Sequence, residues 1–275
     1  MIRYRKLTEE TVKQLLLLGL VGLVLLPIFW MISISLRSEE YVFSGHLLWT
    51  GPIHWDGYKK ALWDIPFFDW LANSLRIGVL QTLGQLFIGA CAAFAFAYYR
   101  FPGRDILFLF VLMTMMIPMQ VTLVPTYLIV NQMNALNTFS GVIVPHLASG
   151  FVIFLLRQSF LTLPKELAEA ATIDGCGPLR VMWNVYVRLS GTILWTLGVL
   201  SFLSNFNEFN WPLLVLTDSE KMPLPLAFQY FRSETQMEWG ATMALATLSM
   251  IPVLILYLIA QRYIVDGFAQ SGVKG

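Results

Sequence analysis

The sequence predicts an all-α, polytopic membrane protein with six transmembrane helices. Three observations carry that reading. The 275 residues are 57% hydrophobic and only 13% charged, whereas ordinary soluble domains carry about 25% charged residues. Mean hydropathy is +0.65. The apolar residues also fall in long runs, and one conspicuously polar stretch, Thr162 to Leu189, stands between two of them.

The runs are placed by length, since a helix needs about 20 apolar residues to cross the hydrocarbon. Span one covers roughly 15–36, is uncharged until its end and carries Pro27 as an expected kink. The charged segment before it, MIRYRKLTEE, precedes a run too long for a signal-peptide core, so the span reads as retained. Residues 37–71 read as an outer loop with short surface helices. Trp49, Trp55, Trp63 and Trp70 suit the membrane interface. Span two, roughly 74–98, is rich in Gly and Ala and so suited to close packing. Span three, 106–130, carries Pro118 and Pro125, which should break its regularity near mid-membrane, with Gln120, Thr122 and Asn131 as polar groups. Span four, 139–156, contains Pro145 and His146; the histidine is expected to hydrogen-bond a neighbouring helix.

Span five, 191–216, holds Glu208, the one acid inside a span, amid Asn205, Asn207 and Asn210. An acid at a helix centre costs about 2.5–3.5 kcal/mol on insertion scales and should face protein or a wet cavity. Lining of a translocation path by Gln120, Asn205, Asn207, Glu208 and Asn210 is one reading; a structural hydrogen-bond knot between Glu208 and the asparagines is the other, and the favoured one. Span six covers 239–261 with Pro252, and a short polar tail follows.

The polar stretch, residues 157–190 at its widest, reads as a short helix, a turn and a second helix. Pro164 and Glu166 suit a first turn. Gly175 can cap in the left-handed conformation, and Gly177-Pro178 restarts the chain. Leu179, Val181, Met182, Trp183, Val185 and Val187 of the second helix suit a membrane surface. Ala168, Ala170 and Ala171 would let another protein's backbone approach, with Glu169 supplying a charge. An ordinary amphipathic loop between spans is the alternative reading of the pattern.

The pattern Glu169-Ala170-Ala171, three residues, then Gly175 resembles the EAA loop of ABC-transporter permease subunits. The flanking ELAEAATIDG is similar to the carbohydrate-uptake, maltose-permease-like branch of that family. Asn73-Ser74-Leu75, residues 95–98, Met116-Ile117-Pro118, Asn207-Glu208-Phe209 with Trp211-Pro212, and the ending Gln261-Arg262-Tyr263 to Gly275 extend the likeness over nearly the whole chain. One departure is that Val187-Arg188 stands where the family loop closes with Leu-Pro, which leaves the end of the second surface helix open.

The resemblance implies a single permease domain over 1–275. It implies ATPase coupling through the 164–175 helix, with Glu169, Ala170, Ala171, Asp174 and Gly175 as its residues. It also implies two ATP-binding-cassette subunits carrying ATP and Mg, a second homologous permease and an extracytoplasmic solute-binding protein. The solute would be a sugar, an oligosaccharide or a glycerol-phosphate-type compound.

Other classes are less well supported. No G-x-x-x-x-G-K-[ST] loop and no nucleophile with a base is present, so this chain is expected not to be catalytic. Scattered histidines and two cysteines indicate neither a metal cluster nor a disulfide framework, and a net charge of +1 makes no call on nucleic acid. An ion-gradient carrier should show half-repeats and more intramembrane ionisable groups. Twelve of the 18 Lys and Arg fall on the side of the termini and the central stretch and five on the other, with Arg76 at a span end. Both termini are therefore expected in the cytoplasm, in a prokaryotic cytoplasmic (inner) membrane.

Overall fold

A computed structural model describes residues 2–42, 52–232 and 237–272 of the chain. Trp49 and His46 fall outside the described residues, as does the ending Val273-Lys274-Gly275. The structure is helical, with one isolated β-bridge, Arg232 to Met237, among the described residues. Three helices are long and apolar enough to cross a membrane, and six spans result when each of three bent helix pairs is taken as one.

The chain packs as two compact units. The first comprises Met1–Phe67 with Ala227–Ile251. Its α1 (Ile2–Ser35) runs unbroken past Pro27. None of the most apolar 18 residues of α1 is buried within this chain. Helix α2 (Asp56–Trp63) packs where Gly57 meets Gly240; a Cβ on Gly57 would lie 2.6 Å from the Gly240 carbonyl oxygen. Ser35 Oγ and Tyr58 Oη are 2.9 Å apart, and the Gly240 amide donates to Glu39 Oε1 at 2.9 Å. Lys60 Nζ donates to Glu238 Oε2 at 2.7 Å.

The second unit comprises Phe68–Leu226 with Pro252–Gly275. Its frame is α3 (Phe67–Tyr98), which starts seven residues before the expected span. The early start has a cause. Trp70 Nε1 donates to the Ser219 carbonyl at 2.6 Å, Asn73 Nδ2 to those of Glu220 and Met222, and Ser74 Oγ accepts the Leu224 amide at 2.7 Å. These bonds fasten the first turns of α3 to the loop at 217–226. Trp70 is therefore a buried anchor, while Trp55 and Trp63 stay exposed as interfacial residues should.

Span three is two helices, α4 (Arg104–Thr114) and α5 (Met119–Gln132), bent by 101°. The break falls before Pro118, which stands at the N-cap of α5; Pro125 sits inside α5 without ending it. Span four is also divided. Helix α6 (Phe139–Ile143) and a tight turn through His146 meet α7 (Gly150–Leu161) at 44°. Gly141 lies against the Ala135 carbonyl and Gly150 against Thr114 and Val111, so both need the missing Cβ. Helices α8 (Lys165–Ile173) and α9 (Pro178–Val181, continuing as a π-helical turn over Met182–Val187) form the central stretch. The expected span five, 191–216, is α10 (Gly191–Phe206) and, after a break at 207–209, α11 (Asn210–Val215); the bent pair long and apolar enough to cross a membrane joins residues 178–187 to α10 instead. After the short α12 (Ala227–Tyr230), α13 runs from Trp239 to Gly272, so the backbone of the expected tail continues as helix through Gly272.

Candidate functional site

The central stretch builds a helix that is exposed on one side and anchored on the other. Pro164 is extended and forms the N-cap of α8 rather than a residue of its first turn; Glu166 follows in that turn. The far end is a Schellman closure. Cys176 N–H donates to the Ala171 carbonyl at 2.9 Å and Gly175 N–H to that of Thr172 at 3.0 Å. Gly175 has φ +83°, the left-handed value this closure needs. Gly177 is extended and Pro178 opens α9, so the turn is built as its residue types suggest.

The three alanines do not share one role. Ala168 is 2% exposed and belongs to a core cluster with Ala90, Ala93, Phe94, Val152, Leu156 and Phe160, so it faces inward and does not meet a partner. Ala171 packs against the same cluster from its rim. Ala170 is exposed with Glu169, Asp174 and Gly175. Leu167 and Ile173 share that open surface, and Leu179 at the start of α9 is exposed too. An apolar surface edged by carboxylates thus stands outside the helix bundle, on a helix seated in that bundle by Ala168. An exposed apolar patch of this kind suits contact with another protein or with the membrane.

Helix α9 corrects a second expectation. Val181 and Met182 are buried, not laid on a membrane surface. Their neighbour Tyr186 is a hub whose ring meets Phe94 at 5.2 Å, Phe160 at 5.3 Å and Tyr98 at 6.2 Å. Sequence spacing missed Tyr186 because a lone tyrosine in an apolar helix carries no local signal. Without a Leu-Pro stop, helical structure continues through Val187-Arg188 to Leu189, and α10 departs at 84°.

A second polar group lies within the spans. Asn205 is buried and uses both ends of its amide. Its Oδ1 accepts from Gln81 Nε2 at 3.0 Å, and its Nδ2 donates to Thr82 Oγ1 and Gln85 Oε1, each at 3.1 Å. Gln85 Nε2 then donates to the His146 carbonyl at 2.9 Å. Asn205 thus joins the end of α10 to span two, and Gln85 carries the link on to the bend of span four. The His146 side chain does not make the expected bond to a neighbouring helix. Its Nε2 is sealed without a partner, and its ring stands edge-on to Trp211 at 5.4 Å.

Glu208 sits at the span-five break, and its role is capping. Oε1 accepts the backbone amides of Asn210 at 2.9 Å and Trp211 at 3.2 Å. The expected knot with asparagine side chains is not formed, because the first-turn amides of α11 are the nearer unsatisfied donors. The cap fixes Trp211, which is fully buried and donates Nε1 to the Gly141 carbonyl at 3.2 Å. Asn207 turns back to the Leu203 carbonyl at 2.8 Å. Asn207, Asn210 and Gln120 are exposed, and no hydrogen bond among the described residues joins Gln120 to the others.

The family described as binding-protein-dependent transport system inner membrane component matches residues 85–270. The chain is 31% identical over 271 residues to a probable ABC transporter permease protein, YurM, of Bacillus subtilis (strain 168), across 97% of this chain and 89% of that one. It is 31% identical over 267 residues to the sn-glycerol-3-phosphate transport system permease protein UgpE of Yersinia pestis, across 94% of each. Among solved structures it resembles a chain of a bacterial ABC transporter involved in the import of the acidic polysaccharide alginate. That match has a TM-score of 0.82 at 25% identity, across 93% of this chain and 96% of that one.

Proposed function

The chain belongs to the family of binding-protein-dependent transport system inner membrane components, and from that premise we propose that it forms half of the translocation path of an ATP-driven importer. The observation that carries the coupling half of this reading is α8. Its open face presents Glu169, Ala170, Ile173 and Asp174, while Ala168 on its inner face is buried in the cluster that also holds residues of α3, α7, α9 and α10. A push on such a helix moves the bundle, because packed interiors transmit displacement.

The proposed cycle uses partners for its energy. Two cytoplasmic ATP-binding-cassette subunits bind ATP and Mg and close. One of them grips α8, with Glu169 paired to a basic group and Ala170 allowing close seating. The spans turn toward an outward-open state, where an extracytoplasmic binding protein delivers solute, and hydrolysis resets them. A second, homologous permease subunit completes the path. The positive-inside count supports cytoplasmic termini and a cytoplasmic α8 in a prokaryotic cytoplasmic membrane. The names of the relatives support a sugar, an oligosaccharide or a glycerol-phosphate-type solute. The exposed Gln120, Asn207 and Asn210 are the proposed path-lining groups of this half.

The test is co-purification of the tagged chain from its native membrane, with mass spectrometry of what accompanies it. Recovery of a second permease and a Walker-motif ATPase is expected. A chain recovered alone that transports on an ion gradient without ATP would establish a secondary carrier instead.

A further inference from the structure

Near the end of span two a group of cations has more positive charge than its own chain neutralises. Arg100 is exposed and makes no hydrogen bond or ion pair among the described residues. Arg104 Nε donates to Asp105 Oδ1 at 3.0 Å, and its Nη1 reaches the Tyr99 carbonyl at 3.5 Å. Arg157, on α7, lies over the Phe108 ring at 4.0 Å, with Nε sealed and unpartnered. Phe108 stands one turn after Arg104 on α4, so Arg157 lies beside the same end of that helix. Among the described residues Asp105 is the one carboxylate that pairs with any of the three guanidinium groups. At this turn a cleft of about 460 Å³ is lined by Arg100, Phe101, Gly103, Arg104, Asp105 and Ile106; Arg157 is not in its lining but stacks on Phe108 further along α4. Gly103, at φ +82°, makes the turn that brings Arg100 and Arg104 to one cleft.

The surroundings suit a ligand with a charged head and apolar tails. Directly along α4 from the cleft, Ile106, Phe110 and Met113 are exposed at one-turn spacing on a single face. Tyr99 and Phe101 at this turn are exposed aromatic residues, the type that favours the headgroup level. A free phosphate ion would use the cations but not this apolar face. Basic pockets between spans on the cytoplasmic side suit anionic headgroups.

We infer that Arg100, Arg104 and Arg157 form a binding site for the phosphate of an anionic phospholipid in the cytoplasmic leaflet, with the acyl chains along α4. The leaflet rests on the proposed orientation; retention of lipid by the purified complex does not, so failure of this inference leaves the importer reading standing.

The test uses the whole transporter complex, purified and reconstituted in nanodiscs of phosphatidylcholine with or without phosphatidylglycerol. Bound lipid is counted by native mass spectrometry. The wild-type complex should retain phosphatidylglycerol in preference to phosphatidylcholine. Arg100→Gln and Arg157→Gln should each lower that preference about fivefold, the weight of one cation near an anionic surface. Arg157→Lys, which keeps charge and bulk, guards against a folding defect and should retain most of it. Lys13→Gln, a cation removed elsewhere on the same side, should change nothing. Equal retention by wild type and all variants would overturn the site. Displacement of the lipid by millimolar inorganic phosphate would make it a free-anion site and overturn the lipid assignment. So would loss of the ATPase from the variants with lipid retention intact, which would assign the cluster to the subunit interface.

Discussion

Single residues here act through positions that leave few alternatives. Gly175 has open space around its missing Cβ, so its constraint is conformational alone. A side chain in that left-handed position costs about 1–2 kcal/mol. Gly175→Val should therefore leave membrane insertion intact and lower uptake by disordering the end of α8, as read by immunoblot and transport rate together. Gly141 is constrained sterically: a Cβ would meet the Ala135 carbonyl, and Gly141→Ala should reduce the yield of folded chain. Asn205→Leu would leave Gln81, Thr82 and Gln85 without their shared partner. Orphaned buried groups cost about 1–3 kcal/mol, to be seen as a lowered thermal midpoint in detergent. Lys60 belongs to the opposite class. Its hydrogen bond to Glu238 raises its pKa above the usual 10.5. The stabilisation is then complete below that value and lost only as pH rises through the raised pKa. Both side chains are nearly half exposed, 42% and 46%, so the pair contributes less than about 1 kcal/mol. Lys60→Met should shift thermal stability slightly and equally at every pH between about 6 and 9.

At the scale of elements, two alanines two residues apart separate folding from coupling. Ala168 faces the core cluster and Ala170 faces out. Ala168→Leu should overpack the seat at about 1–3 kcal/mol and reduce the folded chain in the membrane. Ala170→Leu should leave that amount unchanged and abolish uptake. The sequence alone made the helix legible, because Gly175 and Gly177-Pro178 are local signals that tertiary context did not override. It could not assign the alanines to faces, since Ala168, Ala170 and Ala171 differ only in what lies opposite them. Span positions were legible for the same kind of reason: length and apolarity are properties of the segment itself. Breaks were legible only in part. Pro118 stands at the 101° bend, whereas Pro27, Pro125 and Pro252 lie inside continuous helices. A proline marks where a helix tolerates a break, and the surrounding packing decides. Glu208 was singled out correctly as an acid in a span, but its partners are amides of the following turn, which exist only because span five breaks there.

At the scale of the whole molecule, the proposed function makes this chain half of a machine that takes its energy from partner subunits. Helix α1 leaves its apolar stretch uncovered within the chain, as a subunit of a larger membrane assembly can. On that proposal the asymmetry of Lys and Arg places the termini and α8 in the cytoplasm. The central claim is that α8 is the contact through which an ATPase drives the spans. The most direct measurement is site-specific crosslinking. Cys91 and Cys176 are replaced by alanine, Ala170→Cys is introduced, and native membranes are treated with a short thiol-to-amine crosslinker. The expected product is a covalent adduct with a Walker-motif ATPase whose yield changes when ATP is added. A chain that still drives ATP-dependent uptake but gives no ATPase adduct from position 170, and gives one from elsewhere, would contradict the assignment of α8.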